Sequence, residues 1–320
     1  MTNIVVLDGY TLNPGDNPWD AVEAFGSLTV YDRTPAEEVV ERAMPAEIVL
    51  TNKTPLTAES LARLPNLKFV SVLATGFNVV DVRTARERDI PVSNVPEYGT
   101  DSVAQHVFAT ILTFCHRPAL HDRLIREGEW HRSGDFCFWS GGPLVELAGK
   151  RMGIVGFGRI GRRVGELAHA LGMEVAAYDV NQSAPPAYSP FQWQPIDQLF
   201  AQSDVVSLHC PQTDDNAGMV NRELLATMKP SALLVNAARG GLINEADLAE
   251  ALNAERIAGA SLDVLSSEPP ADGNPLLRAK NCLLTPHIAW AAVEARRRLM
   301  EVTAQNVSAF LGGQPINVVN

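Results

Sequence analysis

The sequence predicts an α/β protein with two doubly wound parallel-sheet domains, and three observations carry that prediction. Short apolar, β-rich runs at 4–7, 48–50 and 69–73 alternate with polar, helix-compatible segments such as 35–43 and 57–64. The apolar run Met152-Gly153-Ile154-Val155 breaks into Gly156, Gly158 and Gly161 and continues as Arg162-Arg163-Val164-Gly165-Glu166-Leu167-Ala168, which reads as a buried strand, a tight turn and a helix start. Strands then recur at 204–210, 232–238, 258–264 and 281–286, separated by helix-like stretches at 221–228 and 245–253. Such alternation builds parallel sheets with helices on both faces.

Taken in order, the first runs form a small sheet domain that ends in an extended piece at 91–96. Gly99-Thr100-Asp101-Ser102 then reads as a helix start, with Thr100 or Asp101 as cap and Val103, Val107, Ile111 and Leu112 as an apolar stripe at helical spacing. This helix bridges the two domains. From 120 to 145 helical polarity gives way to Trp130, Phe136, Phe138 and Trp139 among Gly134, Gly141, Gly142 and Pro143. Such an aromatic arm suits a subunit interface; the alternative is a surface loop folded on its own domain. The stretch 291–311, with Val293, Leu299, Met300, Val302 and Phe310, reads as a terminal helix that returns to the first domain.

The glycine turn has a specific use. Gly156 permits the sharp bend, Gly158 leaves room for phosphates near the backbone, and Gly161 lets helix and sheet approach closely. The free N–H groups and positive dipole end of the helix then suit a pyrophosphate. Glycines alone would also fit any tight α/β turn. The following strand, Glu174-Val175-Ala176-Ala177-Tyr178-Asp179, closes a βαβ unit of the Rossmann kind and ends on an acid 18 residues past Gly161. A carboxylate there accepts from both ribose hydroxyls of NAD and repels a 2′-phosphate, and Val180-Asn181-Gln182 adds no cation to reverse the choice. NAD(H) is therefore the expected cofactor.

Composition bounds the rest. With 46% apolar and 20% charged residues over 320 positions, the chain has the make-up of a globular protein large enough for two cores. A net charge of −11 argues against nucleic acid, whose backbone demands a cationic face. Cys115, Cys137, Cys210 and Cys282 are widely spaced, with no CxxC pair and no histidine cluster, so neither a metal site nor a disulfide framework is expected. The N-terminal apolar run stops at Asp8 without a basic flank, and no stretch reaches the length of a membrane span. A cytoplasmic protein is the expectation.

Three late strand ends carry groups suited to reducing a 2-keto acid. Arg239 can grip a carboxylate bidentately. His287 can protonate the alkoxide that hydride addition leaves, and Glu268 can hold that imidazole in its charged form, orientation and tautomer. Taken singly, each has a plainer explanation: a surface charge, a turn acid, a satisfied core histidine. Two features of the first half are also open. Ala74-Thr75-Gly76 could present N–H groups to an anion, and Lys53 follows a strand where such sheets place ligands; either could equally be an ordinary strand-end loop.

Five ordered motifs tip the balance: Val155–Gly161, Leu208-His209-Cys210-Pro211-Gln212-Thr213, Val235-Asn236-Ala237-Ala238-Arg239-Gly240, Leu262-Asp263-Val264 with Glu268-Pro269, and Thr285-Pro286-His287-Ile288. Together they resemble the D-isomer-specific 2-hydroxyacid dehydrogenase family. The resemblance implies that Arg239 anchors the substrate, Glu268 supports the histidine and His287 donates the proton, with the backbone of Ala74, Thr75 and Gly76 helping to bind the carboxylate. It implies a nucleotide site lined by Gly156, Gly158, Arg159, Ile160, Gly161, Asp179, His209, Cys210, Pro211, Thr213, Ala237, Ala238 and Asp263, with Asp263 near the nicotinamide carboxamide.

The same resemblance implies a flavodoxin-like substrate domain made of 1–100 and 289–320, a Rossmann domain at 101–288, an active site in the cleft between them, and a homodimer built on an arm at 120–148. Trp290 after the His287 motif, with Lys53 and Ala74–Asn78, is similar to the glycerate dehydrogenases, also called hydroxypyruvate reductases. Trp139 is the residue that would reach the partner's active site, and two indoles would favour a small substrate such as hydroxypyruvate or glyoxylate. Lactate-type and phosphoglycerate-type enzymes, and a non-catalytic NAD-sensing protein on the same fold, are the alternatives.

Overall fold

A computed structural model describes residues 1–320. In chain order the elements are β1 (Asn3–Val6), α1 (Asp20–Glu23), β2 (Ser27–Val30), α2 (Val39–Ala43), β3 (Ile48–Thr51), α3 (Ala58–Ala62), β4 (Phe69–Val72), α4 (Val82–Glu87) and β5 (Val92–Ser93). There follow α5 (Thr100–His116), α6 (Pro118–Arg126), α7 (Glu129–Ser133), β6 (Arg151–Val155), α8 (Arg159–Ala170), β7 (Glu174–Tyr178), β8 (Phe191–Trp193), α9 (Ile196–Gln202) and β9 (Val205–Leu208). The chain ends through α10 (Arg222–Thr227), β10 (Leu233–Asn236), α11 (Glu245–Asn253), β11 (Gly259–Leu262), β12 (Cys282–Leu284) and α12 (Val293–Leu311). Two compact units result, Met1–Gly99 with Trp290–Asn320, and Thr100–Ala289. No helix is long and apolar enough to cross a membrane.

The first unit holds a five-stranded sheet of order β2-β1-β3-β4-β5, every pair parallel. Because side chains alternate across a strand, Val5, Val49, Val70 and Val72 pack with residues of α2, α3 and α4. Ile4, Val6, Ile48, Leu50 and Phe69 pack on the opposite face with α1 and α12. Phe69 is fully buried and stacks on Phe310 of α12, ring centroids 4.5 Å apart. Phe69→Ala should therefore cost about 3–5 kcal/mol, read as a lowered urea midpoint; an unchanged midpoint would mean that α12 contributes little to this core. At the β5 edge the C-terminal tail adds backbone pairing, Val319 N–H to Val92 O at 2.8 Å and Asn94 N–H to Asn317 O at 3.1 Å, so the edge is covered.

The second unit holds a seven-stranded parallel sheet of order β12-β11-β10-β9-β6-β7-β8. Val206, Leu234 and Ala260 face α9, α10 and α11, whereas Ile154, Val175, Val205 and Val235 face α5 and α8. Strands β9, β10 and β11 are buried along their whole length, as sheets covered on both faces require. The strand order reverses between β6 and β9, and ligands of such sheets bind at the carboxyl ends near that reversal.

The structure departs from expectation in three places. Strands β2 and β8 are present although neither was expected, because both are short edge strands, partly exposed, with no continuous apolar run. The stretch after α5 does not lose its helices at 120. Pro118 stands at the first turn of α6, where its missing N–H costs nothing, and α7 follows through Gly128 at φ 88°. Beyond the short turn at 127–128, only 134–148 of this stretch lacks regular helix or strand. That remainder folds partly on its own base, with Ser140 N–H donating to His121 Nε2 at 3.2 Å and Phe138 packed against the His121 ring, while Phe136 and Trp139 stay 89% and 66% exposed.

Candidate active site

The nucleotide turn is built where β6 ends. Gly156 has φ +90°, and a Cβ there would lie 2.5 Å from Cys210 N, so neither the conformation nor the space admits a side chain. A Cβ on Gly161 would meet Gly156 O at 2.1 Å, which makes α8 sit hard against the turn. At Gly158 the surroundings are open, nothing lies within 4 Å of a built Cβ, and no side chain caps α8. Arg159 is exposed there and Ile160 half-buried. An uncapped N-terminus of a 12-residue helix facing open space fits a pyrophosphate.

Asp179 follows β7 at its carboxyl end. One of its oxygens accepts from Phe157 N–H at 2.5 Å and the other from Asn181 N–H at 2.9 Å. The acid thus braces the glycine turn, a task that its spacing alone does not disclose. After β9, His209 donates its backbone N–H to Val155 O at 2.7 Å, and its Nε2 lies 2.8 Å from Ser207 Oγ. Burial pushes the imidazole down to about 3, so His209 is neutral through the physiological range. Burial also pushes the Cys210 thiol up, which keeps it protonated and unreactive. Pro211 and Thr213 shape the next turn: Asn216 donates to Pro211 O at 2.9 Å and accepts from Thr213 N–H at 2.7 Å.

Three neighbouring strands deliver the remaining groups. Ala237, Ala238 and Arg239 leave β10, where Asn236 ties the turn by donating to Arg239 O at 2.8 Å and accepting from Ala238 N–H at 3.0 Å. The exposed Arg239 guanidinium donates to Ala238 O at 2.7 Å. Next to it, a Cβ on Gly240 would fall 1.9 Å from the carbonyl carbon of Leu265. The Arg239 turn therefore packs backbone to backbone on the loop that follows β11, the loop that carries Glu268. Glu268 accepts from Leu265 N–H at 3.1 Å with one oxygen and stands 2.6 Å from His287 Nδ1 with the other. His287 lies past β12, and with Nδ1 engaged its Nε2 is the nitrogen open to chemistry.

His287 adopts φ +55°, a left-handed conformation that costs a non-glycine residue roughly 1–2 kcal/mol. Asp263, 3% exposed, is what holds it. Its backbone carbonyl accepts from His287 N–H at 2.8 Å, and its carboxylate accepts from Ile288 N–H at 2.9 Å, Ala289 N–H at 2.8 Å and the Thr285 hydroxyl at 2.6 Å. Reading Asp263 only as a neighbour of the nicotinamide missed this part. The loop wraps a carboxylate 22 to 26 residues upstream, and no local spacing announces it.

The other expected residues belong to the first unit or to the arm. Lys53 follows β3 in a loop whose three N–H groups, of Asn52, Lys53 and Thr54, all donate to the Asp8 carboxylate at 2.8, 2.5 and 2.8 Å. Asp8 was not anticipated, although an acid ending a first strand is a visible signal. Ala74, Thr75 and Gly76 follow β4, with Ala74 O accepting from Val95 N–H at 3.0 Å and Thr75 Oγ1 donating to Val95 O at 3.0 Å. Trp290 packs edge-on against Tyr98, centroids 6.3 Å apart, and Trp139 lies in the exposed arm of the second unit.

The family model described as D-isomer specific 2-hydroxyacid dehydrogenase, NAD binding domain, matches residues 108–289. The chain is similar to a hydroxypyruvate reductase of Blautia hydrogenotrophica, 51% identical over 99% of both chains. It is also similar to a glycerate dehydrogenase of Methylorubrum extorquens, 40% identical over 88% of both. Among solved structures, D-lactate dehydrogenase from Aquifex aeolicus, complexed with NAD and lactic acid, is 28% identical over the full length of both chains with a TM-score of 0.82.

Proposed function

Because the chain belongs to the D-isomer-specific 2-hydroxyacid dehydrogenase family and is an NAD-dependent dehydrogenase, we propose that it reduces hydroxypyruvate to D-glycerate with NADH, taking glyoxylate as a second substrate. The observation that carries the reading is the 2.6 Å pairing of His287 Nδ1 with Glu268, beside the Arg239 turn, in a chain 51% identical to a hydroxypyruvate reductase.

When bound, NADH supplies the hydride for the carbonyl carbon. Arg239 grips the substrate carboxylate. His287 delivers its Nε2 proton to the oxygen as negative charge develops there, while Glu268 steadies the imidazolium through Nδ1. In the reverse direction neutral His287 takes the hydroxyl proton. Gly156, Gly158, Arg159, Ile160 and Gly161 hold the pyrophosphate, and His209, Cys210, Pro211, Thr213, Ala237, Ala238 and Asp263 line the remaining nucleotide surface. Purified protein with NADH and a panel of hydroxypyruvate, glyoxylate, pyruvate and bulkier keto acids tests the substrate. Highest kcat/KM on hydroxypyruvate is expected, and a clear preference for pyruvate would move the assignment to a lactate-type enzyme.

Asp179 sets the coenzyme preference in this reading. A 2′-phosphate beside its carboxylate loses two hydrogen bonds and meets a like charge, together worth about 3 kcal/mol, so kcat/KM should favour NADH over NADPH by roughly 10²-fold. Asp179→Ser should shrink that ratio mainly by weakening NADH; an equal ratio in the wild-type protein would remove Asp179 from the ribose site. We further place the protein in the cytoplasm as a homodimer joined through 120–148, with Trp139 reaching the partner and Trp290 narrowing the substrate space. Support comes from the exposed Phe136 and Trp139 and from four cysteines without a disulfide. Sedimentation should give twice the chain mass, and Phe136→Asp should shift it toward the single chain.

A further inference from the structure

Helix α5 carries Ser102 and His106 one turn apart, both half-buried, beside a buried face made of Val103, Ala104, Val107, Phe108, Thr110, Ile111 and Cys115. Neither touches the glycine turn, Arg239 or Glu268. Ser102 Oγ donates to Ala289 O at 2.6 Å, and His106 Nε2 lies 3.1 Å from Thr285 Oγ1. Their targets are placed symmetrically, two residues before and two residues after His287. The Thr285 hydroxyl spends its proton on Asp263 at 2.6 Å, so its oxygen is the acceptor and His106 Nε2 the donor. The result is a directed chain, His106 to Thr285 to Asp263, which then holds the amides of Ile288 and Ala289.

We propose that Ser102 and His106 are positioning residues for the reaction: from α5 they clamp the two ends of segment 285–289 and so fix the aim of the His287 ring against Glu268. The physical need is plain. His287 sits at φ +55°, and a residue in that region stays there only where its surroundings over-determine it. Asp263, buried at the end of β11 and tied to Asn236 O at 2.9 Å, fastens the loop to the sheet, and Thr285 N–H adds a bond to Leu262 O at 3.0 Å. The two bonds to α5 hold the segment from its other side, on a helix that is itself buried in the core shared with β6, β7 and β10. General acid catalysis is sensitive to such aim, and a misplacement of about 1 Å can cost 10²-fold. The proposal rests on His287 being the proton donor, and its test separates the two.

The experiment compares His106→Ala, Ser102→Ala, His106→Gln and His287→Ala with the double variant His106→Ala/His287→Ala, all checked for folding by circular dichroism. Amide hydrogen exchange in the nucleotide-free protein is the readout that does not depend on activity. The Ile288 and Ala289 amides should exchange about 10-fold faster in His106→Ala and in Ser102→Ala, with β6 and α8 unchanged. In steady state with hydroxypyruvate, His106→Ala should lower kcat about 10-fold and leave the KM for NADH within about twofold. His106→Gln, whose amide can still donate to Thr285, should recover most of that loss. In the His287→Ala background, His106→Ala should cost nothing more, because groups acting as one unit are not additive.

Unchanged exchange at 288 and 289, or a kcat loss that persists in full without His287, would overturn the proposal while leaving His287 as donor. Wild-type turnover by His287→Ala would instead overturn the donor assignment, whatever the exchange data show. Should His106→Ala not fold, Ser102→Ala and His106→Gln carry the same exchange and kcat tests.

Discussion

His287→Ala is expected to lower kcat for hydroxypyruvate by about 10²-fold to 10⁴-fold, the range that removal of a positioned general acid produces. The argument runs from the ring outward. Nδ1 is committed to Glu268 at 2.6 Å, which leaves Nε2 as the nitrogen available to a substrate oxygen. Neither His209, held neutral by burial at about 3, nor His106, whose Nε2 is engaged by Thr285, offers a substitute. NADH affinity should hardly change, since the glycine turn and Asp179 are untouched, so the loss should appear in kcat and not in the dissociation constant measured by protein fluorescence. Glu268→Gln should act in the same direction and less strongly, because the amide can still orient the ring but sets no carboxylate against Nδ1. Wild-type turnover in His287→Ala would remove the histidine from proton transfer.

Sequence and structure meet most closely where the physics is local. The β6 strand, the glycine turn, α8 and β7 span fewer than thirty consecutive residues, and every part of that unit is announced by buried runs, glycines and a strand-end acid. The buried strands β3, β4, β9, β10 and β11 are legible for the same reason, as short and mostly apolar runs. Edge strands such as β8, with a half-exposed Phe191-Gln192-Trp193, carry no such signal. Helices α6 and α7 are weakly announced, because Pro118 and Gly128 interrupt the helical pattern although each stands at a helix start. The contacts that fix the site are illegible in principle from one chain: Asp8 holding the loop at 52–54, and Asp263 holding 285–289, pair residues tens of positions apart through backbone amides that any residue type would present. Arg239, Glu268 and His287 could be named from their motifs. What brings them to one place is the adjacency of β10, β11 and β12, a property of sheet order.

Arg239→Ala should reduce kcat/KM for hydroxypyruvate by roughly 10²-fold to 10³-fold, the equivalent of about 3–4 kcal/mol for a charge-assisted carboxylate contact. The guanidinium is exposed, and its only hydrogen bond is to the neighbouring carbonyl of Ala238, so it is bound loosely enough to turn onto an anion. Its backbone is not loose. Asn236 pins Arg239 O, and Gly240 lies so close to the Leu265 carbonyl that no side chain fits between the turn and the Glu268 loop. In the function proposed above Arg239 fixes where the substrate carboxylate lies relative to the His287–Glu268 pair, and losing it should lower kcat as well as raise KM. Arg239→Lys should restore only part of the activity, because an ammonium attracts the carboxylate without the planar fork that orients it. The decisive control uses a ketone of the same size that lacks the carboxylate, such as dihydroxyacetone: wild type should turn it over slowly, and Arg239→Ala should cost nothing further on it. An equal loss on both substrates would assign Arg239 to the shape of the turn and leave the carboxylate anchor to be found elsewhere.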